Sequence, residues 1–307
     1  MRPDTQSSPK RPKLKVDGWV ILDKPVGPSS TQALGRVRRV FEAAKAGHGG
    51  TLDPLASGVL PIALGEATKL IPFAMDGTKT YEFAIRWGTA TTTDDTEGEV
   101  TATSPHRPAE AAIRAALPRF EGEIAQIPPI YSAIKVAGER AYDLARAGET
   151  VTLESRKVLI HRLDFLASPD PDIARFRVDC GKGTYVRSLA RDLARELDTV
   201  GHVVELRRTR VGKFTVESAI SLETLEGFGH SPARFGALAP VETALDDIPA
   251  LAMTADQALA LQRGQALRDP RIDRAPADPM AAFHEGRLIA LVASDGETLR
   301  PVRVFNL

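Results

Sequence analysis

The 307 residues are 43% hydrophobic and 26% charged, a composition typical of a soluble globular chain with one large and one small domain. No apolar run approaches the roughly 18 residues of a membrane span, and the N-terminal sequence lacks the apolar segment of a signal peptide. Because Cys180 is the single cysteine, neither an internal disulfide nor a multi-cysteine zinc site can form. We therefore expect a cytoplasmic protein without membrane contact.

The charge of the chain is balanced overall but unevenly distributed. Forty basic and 40 acidic residues give a formal net charge of zero, which argues weakly against a nucleic-acid-binding protein. Basic residues nevertheless outnumber acidic ones in residues 10–45 and 182–213, and most of those in the second cluster are arginines, whose planar fork suits phosphate. Each cluster alone is typical of a solvated surface. Two clusters that flank the motifs described below favour a phosphate-binding strip.

The N-terminal residues predict an extension, a strand and a helix. Residues 1–16 are rich in Pro, Ser and Lys and predict a flexible extension that could touch a polyanion. Residues 18–27 predict an apolar strand that breaks into a turn, where Lys24 is either scaffold or functional. A helix is predicted over residues 31–41, and its candidate N-caps are Ser29, Ser30 and Thr31.

Residues 47–61, GHGGTLDPLASGVLP, contain four glycines and no regular periodicity, which predicts a loop with a functional role. The first three glycines allow positive φ or a close backbone approach to a ligand. Pro54 restricts Asp53 to an extended conformation and so aims its carboxylate. The alternative is a surface turn in which Asp53 caps a short helix.

The next segment predicts a helix over residues 65–76 and an alternating strand over residues 79–88, which places Tyr81 and Phe83 on one face. A polar loop follows at residues 91–98. Its acidic residues match no EF-hand spacing, and physical reasoning alone predicts a solvated turn.

The second half of the chain begins with a predicted helix over residues 108–120. Residues 126–148 then predict a surface hairpin of helix and loop, because two prolines exclude a regular helix at its start. The aromatic and basic side chains of this hairpin are compatible with base stacking and phosphate contact.

A strand over residues 176–180 leads through a glycine-rich turn into a helix that ends at Leu197. Arg187 lies at the start of this helix, where its charge opposes the helix dipole unless a carboxylate partner removes that objection. Leu206 follows, with two arginines beside it. Beyond residue 248 the chain predicts short strands separated by turns, at residues 264–267, 286–292 and 299–305.

These motifs together resemble the TruB-type tRNA pseudouridine synthases. Residues 47–60 match the family pattern GHxGxLDPxAxGxL at every fixed position, and GEATK follows at residues 65–69. The strings LDKPxG, KxY, TxTxDxxG, QxPPxYSAxKxxGxxxYxxARxG and GTYxR occur in the family's order. The resemblance covers about residues 17–247 and is weaker from Ile248 onwards.

The resemblance implies an α+β pseudouridine-synthase fold. This fold has a large central mixed, mainly antiparallel sheet flanked by helices and loops, plus a small C-terminal β-rich PUA-like domain. It divides the chain into the extension (residues 1–16), a catalytic domain (residues 17–247) with an RNA-binding insertion at about residues 124–152, and a PUA-like RNA-binding domain (residues 248–307).

The implied function is the isomerisation of uridine to pseudouridine at position 55 in the T-loop of tRNA, by base flipping and without guide RNA, metal or cofactor. Asp53 is the implied catalytic carboxylate, and it could add to C6 of the base, attack C1′ or remove a sugar proton. The implied pocket residues are Tyr81, Tyr185, Arg187 and Leu206. The implied base-flipping or RNA-binding residues are His48, Lys24, Tyr131, Lys135, Arg146, Lys182, Arg207 and Arg208.

The expected partner is the T-arm of tRNA, and the chain is expected to act as a monomer. Two other functions compete with this interpretation. An RNA-binding or tRNA-folding module could retain the basic clusters and the C-terminal domain without chemistry. A metal-dependent hydrolase could be built on His48, Asp94 and Asp95, although the number of ligands is small.

Overall fold

Strand β1 (Gly18–Lys24) is almost entirely buried, and the fold is arranged around the sheet to which it belongs. The structure, a computed structural model, describes residues 13–132, 135–136, 139–140, 152–245, 248–268 and 279–307. Within these ranges, no helix is long and apolar enough to cross a membrane. Residues 1–12 of the expected extension lie outside the described ranges. Within residues 13–16, Leu14 forms a parallel bridge with Ala43 and Val16 is buried, whereas Lys13 and Lys15 are exposed.

In chain order, the strands are β1 (Gly18–Lys24), β2 (Ala46–His48), β3 (Ala56–Leu64), β4 (Lys79–Trp87), β5 (Thr89–Thr91), β6 (Val100–Thr103), β7 (Gly122–Gln126), β8 (Lys135–Val136), β9 (Glu139–Arg140), β10 (Arg156–Asp170), β11 (Ile173–Cys180), β12 (Gly201–Val211), β13 (Phe214–Thr215), β14 (Ile220–Ser221), β15 (Ala250–Ala252), β16 (Leu267–Arg268), β17 (Met280–His284), β18 (Arg287–Ser294) and β19 (Thr298–Val304). The α-helices are α1 (Ser30–Val40), α2 (Ile71–Asp76), α3 (Glu110–Ala116), α4 (Val186–Glu196), α5 (Leu222–Gly227) and α6 (Ala255–Gln262). A 3₁₀ turn (Gly65–Leu70) joins β3 to α2.

The large sheet has the strand order β14-β1-β3-β12-β4-β11-β10-β7, with β2 paired to β3 and β13 paired to β12. Strand β12 runs parallel to β3 and β14 runs parallel to β1, whereas the other neighbours are antiparallel. This topology confirms the expected mixed, mainly antiparallel sheet. The parallel pairing of β3 with β12 joins chain segments that are far apart in sequence.

The two halves of the large sheet are covered differently. In β1, Val20 and Leu22 belong to a core that includes α1 and α4, whereas Trp19 and Ile21 pack on the opposite face. Strand β4 shows the alternation expected from the sequence, because Tyr81, Phe83, Ile85 and Trp87 are buried and Glu82 and Arg86 are exposed. The β1–β3 half is thus buried on both faces, whereas the face of β4 opposite Tyr81 is mixed, with Ala84 buried and Glu82 and Arg86 exposed.

The C-terminal residues form a second sheet with the order β15-β17-β18-β19-β16. The prediction of a small β-rich C-terminal part is therefore confirmed, although the predicted strand at residues 264–267 is only partly correct, because α6 ends at Gln262 and β16 begins at Leu267. Residues Leu288, Leu291 and Phe305 share one apolar cluster with Trp19 and Ile21 of the large sheet.

The prediction of one continuous loop over residues 47–61 is wrong at both ends. The loop itself is confined to residues 49–55, between β2 and β3. Strand β3 was not recognised because its residues form a nearly continuous apolar run. Such a run is typical of a strand buried on both faces, which has no alternation. The long strand β10 was also not predicted.

Candidate active site

The loop that carries Asp53 is held by hydrogen bonds from α1 and from the turn after β1. The Ser30 hydroxyl accepts a hydrogen bond from Leu52 N (2.7 Å) and donates one to Leu52 O (2.9 Å). Gly27 N donates to Pro54 O (2.9 Å), and Ala56 N donates to Asp53 O (3.1 Å). The backbone on both sides of Asp53 is therefore fixed. Of the predicted cap residues, Ser29 caps α1, which leaves Ser30 free to anchor the loop.

Asp53 forms an ion pair with Arg187 and is thus a carboxylate partner of the kind that an arginine at the start of α4 needs. Arg187 Nη2 lies 2.9 Å from Asp53 Oδ2, and the arginine side chain is 6% exposed against 37% for the aspartate. The same guanidinium donates to Thr93 O and to Tyr131 O, each at 2.9 Å. A buried arginine at the start of α4 is tolerated because hydrogen-bond acceptors surround it. Asp53 is the partly exposed partner of this pair, so its carboxylate remains in contact with solvent.

Asp95 is a second carboxylate that contacts Arg187. Because Asp95 is buried, the prediction of a solvated turn at residues 91–98 is wrong for this residue. Asp95 Oδ2 lies 3.3 Å from Arg187 Nη1, and its side chain is 2% exposed. Asp95 Oδ1 also accepts from Glu97 N (3.0 Å). Local sequence reasoning missed this residue because its partner is on a distant helix. The fixed aspartate of the TxTxDxxG string was the available signal.

Asp94, the neighbouring acidic residue, faces a different arginine. Its carboxylate lies 3.0 Å from Arg191 Nη1, one turn further along α4. Both carboxylates of the acidic pair are thus engaged by arginines. This arrangement removes the basis for the metal-dependent hydrolase that was considered from the sequence.

The Asp53 carboxylate opens into a cavity of about 280 Å³. Tyr81 and Leu206 form buried parts of its wall, each 8% exposed. These two side chains come together because β12 pairs with β4, where Leu206 lies opposite Phe83 and Arg208 lies opposite Tyr81. Burial raises the pKa of the Tyr81 hydroxyl above its ordinary value of 10, so Tyr81 is neutral at physiological pH.

Tyr185 and Lys182 also line this cavity. Tyr185 N donates to the side-chain oxygen of Gln126 (2.8 Å), which ties the start of α4 to the end of β7. Burial raises the pKa of Tyr185 as well. Lys182 is exposed and lies 2.8 Å from Asp76 of α2, so this predicted RNA contact is paired with a surface carboxylate.

Arg208, an implied base-flipping or RNA-binding residue, is buried and lines the Asp53 cavity. The side chain is 1% exposed, donates to Val59 O (2.8 Å) and Gly50 O (2.9 Å), and lies 6.0 Å from the Tyr81 ring. Because β12 alternates, Arg208 shares the core face with Leu206, whereas Arg207 points to the opposite face. Arg207 is partly exposed and pairs with Asp23 through both carboxylate oxygens.

Lys24 is likewise buried rather than available at the surface. Its ammonium donates to Pro25 O (2.9 Å) and Pro28 O (2.8 Å), which closes the turn after β1. Burial lowers its pKa from 10.5 to about 8. Of the two alternatives left by the sequence, the scaffold role is the one that this geometry supports.

His48 lies on β2, just before the loop that carries Asp53, and is half-buried. Its Nδ1 is buried without a hydrogen-bond partner. Burial and the nearby Arg208 lower its pKa below the ordinary value of 6.5, so the ring is neutral at pH 7. A neutral imidazole has one donor and one acceptor nitrogen, so the buried Nδ1 leaves one hydrogen bond of this ring unmade.

The remaining predicted RNA contacts lie in or near the insertion. Tyr131 contributes its backbone carbonyl to Arg187. The backbone of Lys135 is described as part of β8, which pairs with β9, but its side chain is outside the described parts of the structure, as is all of Arg146.

The chain is similar to known proteins over most of its length. Residues 38–186 match the family described as TruB family pseudouridylate synthase (N terminal domain), and residues 187–246 match the tRNA pseudouridylate synthase B C-terminal domain. The chain is 54% identical over 300 residues to tRNA pseudouridine synthase B of Caulobacter sp. (strain K31), covering 95% of this chain and 97% of that protein. It is 52% identical over 307 residues to the protein of the same name from Rhodospirillum rubrum, covering 98% and 100%.

Solved structures show the same fold at lower identity. A Cbf5–Nop10–Gar1 complex contains a chain that is 28% identical, with a TM-score of 0.72, covering 94% of this chain and 85% of that one. An H/ACA RNP bound to a substrate RNA containing 2′-deoxyuridine contains a chain with a TM-score of 0.72 at 25% identity, covering 94% and 85%. The resemblance inferred from the motifs is confirmed, and the chain belongs to the TruB family of pseudouridylate synthases.

Proposed function

We propose that this chain isomerises uridine to pseudouridine at position 55 in the T-loop of tRNA, without a guide RNA. The observation that carries the proposal is the Asp53–Arg187 pair at the mouth of a cavity walled by Tyr81 and Leu206. The relatives named tRNA pseudouridine synthase B are full-length matches at 52–54% identity, whereas the Cbf5 and H/ACA chains are 25–28% identical. This difference supports the guide-independent tRNA substrate.

The proposed reaction breaks the bond between N1 and C1′, rotates the detached uracil and forms a bond between C5 and C1′. The proton on C5 is lost, and N1 gains one. The target is inside an RNA fold, so it must leave the stack and enter the cavity. A neutral, buried Tyr81 provides an aromatic surface for the base, and Leu206 forms the neighbouring part of the wall.

Asp53 is the proposed catalytic residue because its carboxylate reaches the cavity while Arg187 fixes its orientation. Addition to C6, attack on C1′ and removal of a sugar proton all use this carboxylate. Arg187 orients Asp53, and Asp95 in turn holds Arg187. Lys182, Arg207 and His48 are proposed RNA contacts at the surface, and the C-terminal sheet is proposed to act as a PUA-like RNA-binding unit.

The test is a comparison of product formation and RNA binding in Asp53→Asn. The amide keeps the shape of the side chain but cannot act as a nucleophile or base. Release of tritium from [5-³H]uridine in a T-arm RNA should fall by at least roughly 10⁴-fold, about 5 kcal/mol in transition-state free energy, while the Kd stays close to wild type. The Asn protein must be freshly prepared, because deamidation would restore the aspartate.

Glu110→Gln is a matched control, because it removes a carboxylate from an exposed ion pair with Arg114. Wild-type turnover in Asp53→Asn would remove Asp53 from the chemistry. An RNA-folding module without chemistry predicts instead that neither wild type nor variant releases tritium, although both bind RNA.

A further inference from the structure

The end of the chain is held against the 3₁₀ turn Gly65–Leu70, which carries the GEATK string that the active site does not use. Lys69 Nζ donates to Val304 O (2.7 Å), and Asn306 N donates to Glu66 Oε2 (2.8 Å). Glu66 and Lys69 also pair with each other at 2.7 Å, with side chains 16% and 25% exposed. We call this set of contacts the clasp.

Phe305 lies between Val304 and Asn306, whose backbone groups take part in the clasp, and its ring packs against both the large sheet and the C-terminal sheet. Phe305 is 1% exposed and packs in the apolar cluster that contains Trp19 of the large sheet, Leu70 of the 3₁₀ turn and Leu288 of the C-terminal sheet. Its backbone N donates to Ile289 O (2.9 Å), and Lys69 Nζ lies 5.6 Å from the ring centroid. The clasp therefore connects the C-terminal sheet to the large sheet.

The turn that carries the clasp is itself fixed. Gly65 has a φ of +56°, and a side chain at this position would overlap Asp17. Glu66 N donates to Asp17 Oδ1 (2.7 Å), and Gly65 N donates to Lys45 O (2.9 Å). These bonds leave the clasp little freedom to move relative to the large sheet.

Strand β3 joins the clasp to the active site. It begins at Ala56, directly after the Asp53 loop, and ends at Leu64, directly before the clasp turn. Nine residues of extended strand span roughly 30 Å at about 3.3 Å per residue. Because β3 is buried in the sheet, it separates Asp53 and the clasp by a constant distance.

We propose that Glu66 and Lys69 are positioning residues, which hold the C-terminal sheet at a set distance from Asp53 so that a full-length tRNA contacts both at once. The inference rests on the proposed function, in which the C-terminal sheet is an RNA-binding unit, and it further assigns to that sheet a part of the tRNA outside the T-arm. Two surfaces that are held at the right spacing bind one RNA more tightly than two surfaces that move independently. Loss of the clasp should therefore weaken the binding of long RNA and leave short RNA unaffected.

The test compares Lys69→Met with Lys69→Arg. Met keeps the aliphatic length but removes the donor to Val304 O, whereas Arg keeps a charged donor. The Kd of each protein is measured by filter binding for full-length tRNA and for an isolated T-arm hairpin, and tritium release is measured on both RNAs. Glu110→Gln is again the control, because it breaks an ion pair that has no contact with the C-terminal sheet.

We expect Lys69→Met to raise the Kd and KM for full-length tRNA by roughly 10-fold, with kcat unchanged and hairpin binding within about twofold of wild type. Lys69→Arg should restore most of the affinity. Equal losses on tRNA and hairpin would show a general structural effect and overturn the proposal, as would unchanged binding of both RNAs. Absence of tritium release from wild type would contradict the proposed function, whereas the binding comparison would still decide the role of the clasp.

Discussion

Arg187 is the residue on which the candidate site depends most. One guanidinium contacts Asp53 and Asp95 and also donates to the backbone carbonyls of Thr93 and Tyr131. These acceptors come from the loop that carries Asp53, the loop of residues 91–98 and the start of the insertion. A planar group with several donors in a fixed geometry can join three such segments, which a single ammonium cannot do.

Arg187→Lys should therefore be a severe change despite its retained charge. The ammonium cannot reach both carboxylates and both carbonyls, so Asp53 loses its fixed orientation. We expect kcat to fall by roughly 10²-fold, about 2.7 kcal/mol in transition-state free energy, with little change in Kd for the RNA. The measurement is single-turnover tritium release at saturating enzyme.

Arg114→Lys is the control for the same substitution in an exposed ion pair, and it should leave kcat unchanged. Turnover of Arg187→Lys close to that of wild type would mean that the Asp53–Arg187 pair is not required. A large rise in Kd would instead assign Arg187 to RNA binding.

At the scale of elements, the parallel pairing of β3 with β12 assembles the cavity. Leu206 of β12 lies opposite Ala56 of β3, immediately after the Asp53 loop. Gly58, two residues further on, lies opposite Arg208 and has a φ of +101°. A side chain at Gly58 would overlap the backbone of Arg208. The two strands can therefore pair at this point only because residue 58 is glycine.

Gly58→Ala should destabilise the protein strongly, because the clash is with backbone and the φ is unfavourable for any residue with a Cβ. We expect the free energy of unfolding to fall by at least about 3 kcal/mol. Equilibrium unfolding in urea, followed by tryptophan fluorescence, measures the change. Trp19 and Trp87 report on both halves of the large sheet.

Gly35→Ala is the matched control. Gly35 lies inside α1, and an added Cβ would meet no atom within 4 Å. Alanine there should increase stability by about 0.5–1 kcal/mol, because glycine is a poor helix former. If Gly58→Ala proved as mild as this control, the close approach of β3 and β12 would not be a determinant of the fold.

At the scale of the whole molecule, one apolar cluster joins the large sheet and the C-terminal sheet, and the clasp closes it at the surface. Burial opposes ionisation of Glu66. The bonds from Lys69 and from Asn306 N outweigh this effect, so the pKa of Glu66 lies below its ordinary value of 4.5. The Glu66 carboxylate is therefore held in its ionised form when the two sheets are docked.

This depressed pKa sets the sign of a pH dependence. A carboxyl group whose pKa is lower in the folded state stabilises the protein at pH values above its unfolded pKa, and the contribution is lost as the pH falls through the folded pKa. We expect wild type to exceed Glu66→Gln by about 1–2 kcal/mol in free energy of unfolding at pH 7. The two proteins should converge as the pH falls below 4.5.

Urea unfolding of both proteins between pH 3 and 7 checks this expectation, and the difference between them removes the contribution of the other carboxylates. A difference that persists unchanged at the acid end would show that the charge of Glu66 is not what stabilises the docked sheets.

Local reasoning from the sequence was successful where the signal lies within one segment. The alternation of residues 79–88 predicted β4, with Tyr81 and Phe83 on its buried face. It was less successful for β3, because a strand that is covered on both faces has no alternation. It did not predict that Lys24 and Arg208 are buried, because the backbone carbonyls that accept their hydrogen bonds leave no signal in the sequence around either residue.

By itself, the sequence determined the family, the choice of Asp53 as the candidate carboxylate and the strand that carries Tyr81, because each depends on residues that are close together in the chain. Only the tertiary structure decided which carboxylates share Arg187, which basic residues are buried and how the last residues dock onto the GEATK turn. The physical reason is that these features depend on strand order. Pairing β3 with β12 and α4 with the acidic loop joins distant segments, and hydrogen-bond partners across such pairings leave no periodic signal within either segment.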